Sequence, residues 1–243
     1  MRHPIHELRA FIADEFFEDL PSGVSPVTEW CAEPQFFPGA SGLLPHATWD
    51  LVVPGELGVT EEFPNPSIGG ILVLGNYQAT FGSYRRILSG EIGGFPTTWR
   101  NLRLLLRDID PREVFLTNAF IGLPDLKKDT EPFPLTPTYL DRCQRLLEFE
   151  IELFKPRCIV CLGVPPAKFL ARIFSGLREW TPWPGYAALD AKGSRLVRGV
   201  SYGSGLMTVV AVRHPSAIIS SIERTDDSDL VASALFSVGM QQI

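Results

Sequence analysis

Unbroken apolar runs, each stopping at a polar loop, recur along the second part of the chain. Ile71–Leu74, Val114–Leu116, Cys158–Leu162 and Met207–Val212 carry no charge. Such runs suit strands buried on both faces. Between them the period becomes helical. Thr97–Asp108 sets Leu102, Leu105 and Leu106 on one side, with Ile109 just beyond. Thr136–Lys155 is the strongest helical pattern: Leu140, Cys143, Leu147, Ile151 and Phe154 share a face, Pro137 lies in the first turn, and Pro156 closes the segment. Pro165–Phe174 predicts another helix, and two short helices are expected after His214. Ser194–Val200 is expected to form a hairpin near Val209–Val212. Strands alternating with helices predict a three-layer α/β/α fold with a four-stranded, mainly parallel sheet.

Residues 1–70 read differently. Ile5, Leu8, Phe11, Ile12 and Phe16 predict an amphipathic helix over 4–20. From 21 to 70, prolines and glycines interrupt every few residues, with Trp30, Phe36, Phe37 and Trp49 between them. That richness in aromatics predicts an ordered, loop-rich wrap with one short strand, Trp49–Val53, rather than a flexible linker. The wrap and residues 71–243 are expected to form one structural unit.

Composition narrows this only a little. The chain has 243 residues, 45% hydrophobic and 21% charged, an ordinary globular mix. A net charge of −6 and a pI near 5.3 argue against a general polyanion binder. They leave room for a local basic patch, because charge is screened over about 8 Å. No apolar stretch reaches the roughly 18 residues a membrane span needs. The N-terminal Met-Arg-His-Pro-Ile-His-Glu lacks the apolar run of a signal peptide. Cys31, Cys143, Cys158 and Cys161 make no disulfide framework. A cytoplasmic monomer is the expectation. Cys158 and Cys161 lie three apart on a strand and so face opposite sides, which disfavours a metal or redox pair.

If the strands are parallel, their exits open at one carboxyl edge, where open α/β sheets hold ligands. The exits are Gly75-Asn76-Tyr77-Gln78, Thr117-Asn118, Gly163 and Arg213-His214-Pro215-Ser216. Asn118 can donate and accept at once, which suits the edge of a nucleobase. His214 can donate to a developing oxyanion or act as an acid or base. Phe95 can lie flat against a planar ligand. Each also has a plain structural alternative. Asn76 and Asn118 are ordinary strand-end turn residues, His214 can bond local backbone, and Phe95 can plug the core. Arg85, Arg86, Arg100, Arg103 and Arg107 read as a solvated helix face, with Arg85, Arg86 and Arg213 as candidate phosphate contacts.

In this order, the segments resemble the uracil-DNA glycosylase superfamily from about Ile71 to Ser220. Val114-Phe-Leu-Thr-Asn-Ala119 is similar to the family strand that ends in a base-reading asparagine. Glu150–Gly163 is similar to its helix-to-strand segment, where the helix ends in Lys-Pro and the strand in Leu-Gly. Val212-Arg-His-Pro-Ser-Ala217 resembles its His-Pro-Ser loop. The resemblance implies an enzyme that flips a damaged base out of DNA and cleaves its N-glycosidic bond. It implies that Asn118 reads the base edge and Phe95 stacks on the base. His214 would stabilise charge on the departing base, and Ile218 would wedge into the duplex. Tyr77 would stand beside the sugar, and Arg213, Ser216 and Arg85 would contact DNA.

Two departures stand out. Family members with strong activity place an acid in the first loop, within Gly-x-x-Pro; here both the acid and the proline are missing, and Asn76 is left to orient a water. Some branches carry four cysteines for an iron–sulfur cluster. Here only Cys143 falls near such a position, so neither metal nor cofactor is expected. The leading reading is a DNA glycosylase-like protein acting on a deaminated base. The alternative is a non-catalytic or redirected member that binds a nucleobase, nucleotide or modified nucleic acid. A third is an unrelated small-molecule enzyme on the same scaffold.

Overall fold

Ile71–Gly75 (β2) is buried at every position, and it lies inside a sheet rather than at its margin. In the computed structural model, five strands run in the order β3-β2-β5-β7-β6. These are Val114–Asn118 (β3), Cys158–Leu162 (β5), Leu196–Tyr202 (β6) and Gly205–Val212 (β7) beside β2. The structure describes residues 11, 20–25, 68–77, 79–89, 91, 96–110, 113–126, 133–203, 205–217 and 221–239.

β3, β2, β5 and β7 pair in parallel, and β6 closes one edge antiparallel to β7. The expected four-stranded sheet is therefore corrected to a mixed sheet of five. The hairpin was legible in the sequence, but its first arm does not read as a sheet member. Arg198 and Gly199 interrupt its apolar pattern, and a register shift separates Val197 from Val200. Gly199, at φ +69°, adopts a backbone that suits glycine there.

Alternate side chains feed two cores, one on each face. Leu72, Leu74, Phe115, Ile159, Cys161, Val209 and Ala211 pack with Pro137–Phe154 (α3) and Val164–Ile173 (α4). Ile71, Val73, Val114, Leu116, Cys158, Val160, Leu162, Val210 and Val212 pack with Leu102, Leu106, Val231 and Ala234. Those last four come from Pro96–Leu105 (α2), the turn after it, and Ser221–Gly239 (α6). Cys158 and Cys161 thus face opposite layers, as the strand period requires. Phe81–Leu88 (α1) and Tyr186–Ala191 (α5) are further helices, and Ser175–Trp180 is a 3-10 helix.

Thr136 caps α3 by accepting from the Tyr139 N–H, and Pro137 occupies the first turn. Lys155, in the left-handed region, ends the helix ahead of Pro156. The two short helices expected after His214 are one helix of 19 residues, α6. Its polar Thr225–Asp229 stretch contains no proline or glycine to end the helix.

The helix expected over 4–20 and the strand expected at Trp49–Val53 lie outside the described residues, Phe11 apart. Phe11 stacks on Phe149 of α3, with ring centroids 4.9 Å apart. Val24–Ser25 (β1) pairs antiparallel with Leu123–Pro124 (β4), a short ribbon in the segment expected as a loop. No described helix is long and apolar enough to cross a membrane.

Candidate active site

The four parallel strands end side by side, so their exits line one edge across three strand spacings, about 14 Å. At one end, Gly75 pairs with Asn118 in the β2–β3 register. A Cβ added at Gly75 would sit 2.4 Å from Asn118 Oδ1. The Asn118 carboxamide therefore lies across the β2 exit, in space that only glycine leaves open. The two loops are tied together behind it. Ala119 N–H donates to Gly75 O and Phe120 N–H to Asn76 O, both at 2.9 Å. Asn76 Oδ1 is buried and accepts no hydrogen bond among the described residues. Gly75→Ala is expected to displace the Asn118 side chain and cost about 1–3 kcal/mol. Urea denaturation and the Asn118 side-chain amide signals in NMR spectra would show both effects.

At the other end, β5 turns at Gly163 (φ +96°), where an added Cβ would lie 3.4 Å from the His214 Cβ. Gly163 N–H donates to Val212 O at 2.8 Å, binding the β5 and β7 exits together. His214 is half-buried. The Ser216 backbone N–H donates to its Nδ1 at 3.2 Å, and Ser216 Oγ lies 2.7 Å from the same nitrogen. An Nδ1 that accepts leaves the proton of the neutral ring on Nε2. Burial also pushes the imidazole below its usual 6.5. His214 is thus a neutral N–H donor at the edge.

The backbone around His214 is held from behind. Asp227 of α6, 3% exposed, accepts from the Arg213 N–H at 3.0 Å and from Arg213 Nη1 at 2.9 Å. It also accepts from Arg195, which pairs with Asp190 as well. Arg213 Nε reaches Glu223 at 3.3 Å. The Tyr186 ring has Arg213 at 5.0 Å and Arg195 at 5.5 Å from its centroid, and its hydroxyl donates to Val212 O at 3.1 Å. After His214, Pro215 O accepts from Asn101 Nδ2 of α2 at 2.7 Å. Arg213, expected at a phosphate, pairs here with Asp227 and Glu223.

Beneath the Asn118 exit lies Glu150 of α3, wholly buried. Its Oε1 accepts from Thr117 Oγ1 at 2.9 Å, while Oε2 has no partner among the described residues. Loss of water pushes the carboxyl up to about 8.

Asn76, Asn118 and His214 therefore stand along one edge. Tyr77 packs half-buried against the core, its ring centroid 5.7 Å from that of Phe133. Arg85 is exposed on α1, 5.9 Å from the Phe81 ring centroid, and Ser216 is exposed beside His214. Phe95 and Ile218 lie outside the described residues. Sequence reasoning missed Asn101, Tyr186, Asp227 and Glu150. Only Glu150 carried a signal: it falls three residues after Leu147 and four before Phe154, on the apolar face of its helix.

A family profile described as the uracil DNA glycosylase superfamily matches residues 85–233, more than half of the chain. The matched span holds Asn118, the Lys155-Pro156 helix end and His214-Pro215-Ser216, and begins past the Gly75–Gln78 loop. No curated protein matches the chain. The chain belongs to the uracil-DNA glycosylase superfamily.

Proposed function

We propose that this protein is a DNA glycosylase that hydrolyses the N-glycosidic bond of a flipped, deaminated base of the uracil or hypoxanthine type. One observation carries the reading: a neutral His214 with its proton on Nε2 shares an edge with a carboxamide at Asn118. The span between those exits suits a nucleoside. Heterolysis of the bond leaves negative charge on the base and positive charge on the sugar. The Nε2–H of His214 donates to the first, and a water attacks the sugar carbon, its oxygen forming the new bond and its proton passing to the departed base anion. Asn118 pairs with the base edge through one donor and one acceptor.

Asn76 stands where strongly active relatives place an acid. It orients the water through its Oδ1 but cannot take up its proton, so the rate is carried by departure of the base. Arg85 and Ser216 supply contacts to DNA, Tyr77 borders the sugar, and Phe95 and Ile218 supply the stack and the wedge. Flipping costs a few kcal/mol, which the wedge and pocket offset. Residues 1–70 form one unit with the rest, a reading supported by the Phe11–Phe149 stack and the β1–β4 ribbon.

The missing first-loop acid favours one second reading, a member that binds such a base without cleaving it. Oligonucleotides carrying uracil, hypoxanthine or xanthine, single-stranded and in each mismatch, separate the two. Cleavage above the background of the His214→Ala, Asn118→Ala double variant is expected for at least one lesion. Binding without cleavage would establish the second reading, and neither would retire both.

A further inference from the structure

We infer that Asp227 and Asn101 are positioning residues that clasp the His214 loop from two sides. Neither touches His214 in the hydrogen bonds described above. Asp227 holds the N–H of the residue before it, and Asn101 holds the carbonyl of the residue after it. Both are buried, and their helices α6 and α2 pack in the same layer beneath the sheet. His214 thus sits between two backbone groups held by side chains more than a hundred positions apart in sequence.

The anchors are built to stay put. The two carboxylate oxygens of Asp227 receive three donors: the Arg213 N–H and the guanidinium groups of Arg213 and Arg195. Two arginines here face three carboxylates, Asp190, Glu223 and Asp227. The positive charge next to His214 is therefore already matched, and the cluster acts as a brace. Tyr186 completes it by holding Val212 O. A donor aimed at developing charge works only in register, and a displacement of about 1 Å can cost about 10²-fold in rate.

The clasp rests on the glycosylase reading only for its rate, because its geometry can be read from His214 itself. Asn101→Ala removes one anchor at modest cost. Asp227→Asn keeps the shape but offers one acceptor oxygen where three donors converge. Both variants are expected to move the His214 ring ¹⁵N resonances and its NMR titration midpoint. Both are expected to lower single-turnover cleavage by about 10–10²-fold with KM near wild type. Asp226→Asn, at the exposed neighbour on the same helix, is expected to leave both readouts unchanged. Should Asp227→Asn fail to fold, Asn101→Ala decides alone. Folded variants with wild-type His214 resonances would overturn the clasp. If the wild type cuts no lesion while the resonances move, the clasp stands and the glycosylase reading falls.

Discussion

Replacing His214 with alanine is expected to slow base release by about 10²–10³-fold, the usual cost of removing one preorganised donor to developing charge. Substrate binding should change far less, because the charge on the base exists only as the bond breaks. The loop makes the role specific. Ser216 N–H occupies Nδ1, so Nε2–H is the one ring donor left for a ligand. The pH dependence follows. Burial pushes the imidazole below 6.5, so the ring stays neutral to lower pH than an ordinary histidine. The rate is expected to hold as pH falls past the ordinary histidine midpoint and to change at lower pH, once Nδ1 gains a proton that opposes the Ser216 N–H. Single-turnover cleavage of the best lesion between about pH 5 and about pH 8 checks this. Equal rates for wild type and His214→Ala would remove the histidine from the chemistry.

The second large effect concerns stability. Glu150 has its carboxyl pushed from 4.5 up to about 8 by burial. Between those values the folded protein holds a proton that the unfolded chain has released. Its contribution is therefore fully present below about 4.5 and is lost as pH rises towards 8, by about 1.4 kcal/mol per pH unit. Glu150→Gln keeps the shape and the acceptor for Thr117 but cannot ionise. Urea denaturation at stepped pH should show a steeper fall for wild type than for the variant, with the curves crossing as pH rises. Parallel curves would mean that Glu150 does not carry the proton. Because Thr117 precedes Asn118, the same variant tests whether the carboxyl supports the Asn118 end of the edge.

Much of the scaffold was legible because parallel strands buried on both faces write themselves as continuous apolar runs. Ile71–Leu74 and Cys158–Leu162 are such runs, and their polar exits marked the edge where Asn118 and His214 stand. β6 was harder: an edge strand needs only one apolar face, and Arg198-Gly199 blurred even that. α6 was read as two helices, although its Asp226-Asp227-Ser228 run holds no proline or glycine to break it. The same run hid Asp227, since nothing local separates the aspartate that braces Arg213 from its exposed neighbour Asp226. The charge of Arg213 was legible, but not the partners that α6 folds back against it. Asn101 lay between Arg100 and Leu102 with nothing local to set it apart, and its bond to Pro215 crosses more than a hundred positions that no local pattern spans.

The position of β2 between β3 and β5 also sets a timetable for synthesis. Its first neighbour, β3, emerges from the ribosome about forty residues after it, and its second, β5, about eighty residues after it. At about 5–20 residues per second, β2 waits roughly 4–16 s for that second flank. During that interval the wholly apolar Ile71–Leu74 presents an unpaired edge, so the nascent chain passes through its most aggregation-prone stage before the edge that carries His214 has been made.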